Sequence, residues 1–273
     1  ENAPTVPAVQ MLSTLLVVCS GLARSLVADS VRAARAPGRV VISPSVAKAD
    51  MLNLGRECRD VVEAGAEWLH FSVQDGRMVP KISFGSPVVS ALRAELPETI
   101  FDVKLGVVDP ERRIDEFAKA GADILSVHPE ATLQLAATLH EIDAAGMAPG
   151  VVLNPGTPIS AIEHVLQHVD VIVVMLVSPG HGGPKYTDEA CRKIRALRAL
   201  CDERNVAPWI EVDGGVGVSN VRLLVDAGAN ALVAGGSIFN AADKRAALQE
   251  LRAAAGEGAQ AGHTRHTVSA DGR

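Results

Sequence analysis

Short apolar runs recur along the chain from residue 40 onward, each bounded by turn-forming residues. They are Val40–Ser43, Trp68–Val73, Ile100–Lys104, Ile124–His128, Ala148–Leu153, Val171–Val177, Pro208–Val212 and Ala231–Ala234. Runs of this kind fit strands buried on both faces, as in a parallel sheet. The segments between them carry helical periods. In Arg192–Leu200, for example, apolar positions three and four apart form one helix face. A helix end, a Gly-Ala turn and an apolar strand follow one another three times, at Ala64-Gly65-Ala66, Ala120-Gly121-Ala122 and Ala227-Gly228-Ala229. Glycine tolerates the left-handed backbone needed just past a helix. Strand and helix alternating eight times predict an α/β fold of the (β/α)8 TIM-barrel type. The competing architecture is an open doubly wound sheet, but no Gly-x-Gly-x-x-Gly follows the first strand.

The ends of the chain read differently. No charged side chain occurs from Asn2 to Ala23; Arg24, Arg32, Arg35 and Arg39 follow, with Asp29 as the sole acid among them. Residues 1–39 are therefore expected to form an N-terminal extension with an apolar helix. A docked helix, a partner-binding helix and a membrane segment all remain open for it. Its Arg-rich, acid-poor composition resembles an organelle transit region, mitochondrial or plastid. Removing residues up to about Arg35 is expected to leave the barrel folded. Residues 40–255 make the barrel, and the aperiodic 256–273 is expected to be a loosely ordered tail.

Composition narrows the function classes. A net charge of -6 and a pI near 5.8 argue against nucleic acid as a partner. Hydrophobic residues make up 48% and aromatics only 3%, so the core is aliphatic. Cys19, Cys58, Cys191 and Cys201 show no metal-ligand spacing and read as reduced, structural thiols.

In such barrels the chemistry sits at the C-terminal ends of the strands. Three glycine runs lie there: Gly180, Gly182 and Gly183 after the sixth strand, Gly214 and Gly215 after the seventh, and Gly235 and Gly236 after the eighth. Glycines let backbone N–H groups approach an anion closely. Together they predict binding of a sugar phosphate or another small anion.

Longer motifs name a family. Ile42-Ser43-Pro44-Ser45, Asp75-Gly76-Arg77-Met78-Val79-Pro80, Val127-His128-Pro129-Glu130-Ala131, Gly150 to Pro158, Pro179 to Tyr186 and Ile210 to Gly215 stand in order along the chain. In these stretches, over about Val40 to Ala255, the sequence resembles ribulose-phosphate 3-epimerases, barrels of the pentose phosphate and Calvin cycles. The resemblance implies removal of a proton beside a keto group and its return to the opposite face. In the family, two aspartates and two histidines hold a divalent metal (Zn, Fe or Mn), and the aspartates also move the proton. Carried over, the first histidine is His70, the second aspartate is Asp213, and the serine after the first strand is Ser45; these would be the catalytic residues. The first aspartate is replaced by Ser72 and the second histidine by Lys104. A hydroxyl is not a carboxylate base, and an ammonium has no lone pair for a metal. The retained ligand positions are His70 and Asp213 alone, so no metal and no other cofactor is expected here. Gln74, Gly106, Lys81, Ser178 and His181 also depart from the family pattern, while Met175 is kept.

The departures lead to a first expectation of an eroded epimerase site, non-catalytic or weakly active. Such a barrel would still bind a sugar phosphate and would serve as a homo-oligomer or as a subunit of a larger assembly, joined through residues 1–39. The alternative is an active epimerase interconverting ribulose 5-phosphate and xylulose 5-phosphate without metal. Lys104 and Lys81 would then supply the positive charge, and Asp213 with His70 would move protons. An ion pair between Lys104 and Asp213 is expected at the family's cation position. His128 is expected to be a hydrogen-bonded barrel residue, and Asp102 and Glu130 to be solvated or paired.

Overall fold

A computed structural model describes residues 31–32, 38–182 and 186–256. The readings of an apolar N-terminal helix and of a loose tail fall almost wholly outside the described residues. Eight strands follow one another along the barrel: β1 Val41–Pro44, β2 Trp68–Gln74, β3 Ile100–Gly106, β4 Ile124–Val127, β5 Ala148–Leu153, β6 Val171–Met175, β7 Trp209–Asp213 and β8 Ala231–Ala234. The helices are α1 Leu54–Glu63, α2 Ser86–Glu95, α3 Ile114–Ala120, α4 Leu135–Ala144, α5 Thr187–Glu203, α6 Val221–Ala227, α7 Gly236–Phe239 and α8 Lys244–Ala255. All strand pairs are parallel, in the order β1-β8-β7-β6-β5-β4-β3-β2. A bridge between Ser45 and His70 brings β1 beside β2, and the sheet curls into a TIM barrel.

The alternation has one gap. Between β5 and β6 the chain forms only two 3-10 turns, Ile159–Ala161 and Leu166–His168. Pro155 and Pro158 stand at the head of this segment and have no N–H to give a helix. The last unit carries two helices, α7 and α8.

The repeated Gly-Ala turns share one device. Gly65, Gly121 and Gly228 take φ of 106°, 93° and 115°, which glycine alone adopts without strain. Each glycine carbonyl accepts from an arginine: Arg252 at 3.1 Å, Arg93 at 2.8 Å and Arg198 at 2.8 Å respectively. The stems of Arg93 and Arg198 lie across their glycines, so a Cβ there would come within 2.7 Å of the arginine Cγ. Each turn is thus pinned to a neighbouring helix, which sets where the next strand begins.

Two apolar regions hold the barrel. The larger fills the space between strands and helices, with Leu69, Phe71, Phe101, Leu125 and Ile210 among its members. The smaller plugs the inside of the barrel below the strand C-termini. There Trp68 and Trp209 meet edge to face at 5.1 Å, packed with Val41, Ile124, Ala148 and Val171. Val31 belongs to this inner plug and is fully buried. The Trp209 indole N–H donates to the Val31 carbonyl at 2.9 Å, and Arg32 pairs with Asp143 and Asp170. Residues 31 and 32 thus pack onto the inner plug and the outer helix α4. No helix among the described residues is long and apolar enough to cross a membrane. Cys58, Cys191 and Cys201 are buried free thiols.

Candidate active site

A cavity of about 770 Å³ opens at the C-terminal ends of the strands. Ser45, Ser72, Lys104 and Asp213 line it, together with Gly180, Gly182, Gly214, Gly215, Gly235 and Gly236. Gly183 lies outside the described residues. The strand register sets the floor: Ser72 is opposite Lys104, and Met175 is opposite Asp213. At the rim, the loop after β6 packs onto the loop after β2. A Cβ on Gly180, whose φ is 74°, would come within 2.9 Å of Val79 Cβ. Gly180 therefore lets the two loops meet at the rim, and the glycines leave backbone N–H groups uncovered by side chains.

The Lys104 ammonium bonds the Asp213 carboxylate and lies 3.5 Å from Met175 Sδ. Burial alone would raise Asp213, but the charges of Lys104 and His70 outweigh it and hold the carboxyl below the ordinary range. His70 is fully buried one layer deeper and does not itself line the cavity. Its Nδ1 bonds Asp102, and its Nε2 lies 3.1 Å from Ser72 Oγ and 3.7 Å from Asp213 Oδ2. Burial would lower His70, but Asp102 and then Glu211 push it up to about 10. Glu211 is itself pushed up to about 8 by burial and the adjacent Asp102 charge. The floor thus carries the Lys104–Asp213 ion pair, with the His70–Asp102 pair beneath it.

The family's metal does not fit this floor. Lys104 places a charged nitrogen on the one carboxylate left among the four ligand positions, and Ser72 offers only a hydroxyl already engaged with His70. A second cation on that carboxylate would meet the Lys104 ammonium at close range, where the repulsion is strong. The one potential metal-holding group among the described residues is His70, Asp102 and Glu211, whose donor atoms lie within 4.8 Å of one another. Asp102 Oδ1 and both Glu211 oxygens are buried without a hydrogen-bond partner. That group does not line the cavity, and His70 Nδ1 is already bonded to Asp102.

The expected ion pair between Lys104 and Asp213 is present. Asp102 is paired, as expected, and its partner is the fully buried His70. The expectation of a hydrogen-bonded His128 needs correction: it is buried with neither ring nitrogen hydrogen-bonded. Burial and the Lys104 charge push His128 down to about 4, so it is a neutral imidazole. Glu130 is held by Asn154 at 3.1 Å and by Thr157. Sequence reasoning missed Glu211 and Lys48. Glu211 is two residues before Asp213 on a strand, so alternation alone puts it on the inner face. Lys48 sits in a 3-10 turn after β1, and a Cβ on Gly235 would come within 2.7 Å of its Cγ; no local signal marks that approach.

The model of the ribulose-phosphate 3 epimerase family matches residues 41–239. A relative from Arabidopsis thaliana, the chloroplastic ribulose-5-phosphate-3-epimerase, is 47% identical over 218 residues, 78% of this chain and 76% of its own. The ribulose-phosphate 3-epimerase of Synechocystis is 47% identical over 215 residues, 78% of this chain and 93% of its own. Among solved structures, a 3-keto-L-gulonate-6-phosphate decarboxylase from Vibrio cholerae overlays with a TM-score of 0.62 at 15% identity, covering 80% of this chain and 98% of that one. At that identity the overlay shows the barrel fold only. Relatives so similar are named as epimerases, which gives no support to the expectation of a non-catalytic subunit. The chain belongs to the ribulose-phosphate 3-epimerase family.

Proposed function

We propose that this protein is an epimerase that interconverts ribulose 5-phosphate and xylulose 5-phosphate with Lys104 in place of the family's divalent cation. The observation that carries the reading is the Lys104–Asp213 ion pair on the cavity floor. The names of the relatives support the substrate, and the glycine loops around the cavity support a phosphate at one end of it. Asp213 is held ionised by its surroundings and is ready to accept a proton. It takes that proton from carbon 3, and the electron pair moves into the neighbouring carbonyl to give an enediolate. The carboxylate that held Lys104 is neutral once protonated, so the ammonium is released to the new oxyanion. One positive charge thus serves the base before the transfer and the oxyanion after it. A preorganised donor at a developing oxyanion is worth roughly 100- to 1,000-fold in rate.

The test is a coupled assay on protein treated with a chelator, with and without added Zn²⁺. Turnover that survives chelation and falls roughly 100- to 1,000-fold in Lys104→Met is expected. Turnover that requires Zn²⁺ would overturn the metal-free chemistry. A silent wild type beside a Zn²⁺-dependent Ser72→Asp/Lys104→His variant would make the barrel a decayed, non-catalytic one.

For location, the plastid is the organelle we favour. The Arabidopsis relative is named as chloroplastic, and residues 24–39 are arginine-rich and nearly free of acid. Residues 1–39 fused to a fluorescent reporter should enter plastids; mitochondrial or cytosolic signal would refute this.

A further inference from the structure

Epimerisation needs a proton group on each face of the sugar, and the family aspartate that would supply the second is absent at residue 72. The chain resolves this with what surrounds Ser72. That residue is the point where the buried His70–Asp102 pair reaches the cavity: Ser72 lines the cavity, while His70 behind it is fully buried. His70 Nε2 lies 3.1 Å from Ser72 Oγ, and its other nitrogen is held by Asp102, which fixes the ring. Ser72 also faces Lys104 across the β2–β3 register, so hydroxyl and ammonium stand side by side on the floor. The His70 ring therefore connects two cavity-lining groups: Ser72, and Asp213 at 3.7 Å.

We propose that Ser72, backed by His70, is the second proton donor of the epimerase. The inference rests on the reading that Asp213 removes the first proton. The enediolate carbon takes the Ser72 hydroxyl proton on the face opposite Asp213, and His70 gives its Nε2 proton to Ser72 Oγ. One C–H bond has then broken and one has formed, Asp213 holds a proton, and His70 has lost one. Passage of that proton from Asp213 Oδ2 to His70 Nε2 restores the starting state, so no external acid or base is consumed. The reverse reaction starts from the form with Asp213 protonated and His70 neutral, with Ser72 and His70 acting as base. A serine alone is too weak an acid for this work; the imidazole 3.1 Å behind it, its ring fixed by Asp102, replaces the proton as the hydroxyl gives up its own.

Exchange with solvent separates this proposal from the reading it deepens. Each epimer is incubated in D₂O with wild type, Ser72→Ala and Ser72→Thr, and loss of the carbon-3 proton and formation of the other epimer are followed by NMR. In Ser72→Ala we expect one epimer to keep exchanging its proton with retained configuration, through Asp213. Epimerisation should fall at least ~100-fold. Ser72→Thr, which keeps the hydroxyl, should recover much of it. Epimerisation in Ser72→Ala at the wild-type rate would overturn the role of Ser72 and leave the epimerase reading standing. If wild type neither epimerises nor exchanges either sugar, the epimerase reading itself fails. A circular-dichroism melt matching wild type guards against a variant that has merely unfolded.

Discussion

At the scale of single residues, the site is governed by charges that cannot be solvated. Lys104 and Asp213 satisfy each other on the floor, His70 and Asp102 beneath it, and Glu211 avoids a second buried negative charge by holding its proton. His128 solves the same problem by staying neutral. It is buried, near the Lys104 charge, and without a hydrogen-bond partner, and its folded value is near 4 against an ordinary 6.5. Between those two values the unfolded chain takes up a proton that the folded one refuses. Stability from this group is therefore full above about pH 6.5 and lost as pH falls toward 4, by about 3 kcal/mol in all. His70 and Glu211 act in the opposite sense, since their folded values are raised and they favour the folded state at lower pH. We expect His128→Leu to remove most of the acid-side loss, read as urea midpoints at pH 6.5 and pH 4.5. Parallel pH slopes in wild type and variant would show that His128 is not the group responsible.

At the scale of elements, strand alternation and the Gly-Ala turns do most of the positioning. All eight strands were legible in the sequence, because an apolar run between glycine and proline punctuation has few other uses. Their ends were less sharply marked: β1 begins at Val41 and not at Val40, and β6 stops at Met175 and not at Val177. The gap in the helical series after β5 could not be read from periodicity, since Ile159, Ile162 and Leu166 have a helical spacing yet form only turns. The arginines over Gly65, Gly121 and Gly228 were equally invisible. Arg252 lies far along the chain from Gly65, and only closure of the barrel sets them side by side.

At the scale of the whole molecule, the barrel is stoppered at its N-terminal end by residues that lie before β1. Val31 contributes a fully buried side chain, worth about 1.5–3 kcal/mol. Losing it also strands the Trp209 indole N–H, at roughly 1–3 kcal/mol. A chain starting at residue 38 should stay cooperative, because the plug keeps both tryptophans and its aliphatic partners. Its stability should fall by about 3 kcal/mol and its Tm by roughly 10 °C. An unchanged Tm in a calorimetric scan would show that residues 31–32 add nothing to the fold.

The barrel, the glycine loops, the family and the replacement of two metal-binding positions by Ser72 and Lys104 are all legible in the order of the amino acids. Those are properties of local pattern and residue type, which a chain carries before it folds. What the replacements do emerges only in the folded barrel. Lys104 and Asp213 lie on β3 and β7, distant along the chain, and their pairing depends on the curvature that brings both strand ends over one floor. The same curvature sets His70 behind Ser72 and within reach of Asp213. A charge substitution reads as damage when each position is taken alone. Closure of the barrel puts the new charge against an old one, because two opposite charges buried together are far less costly than either buried alone.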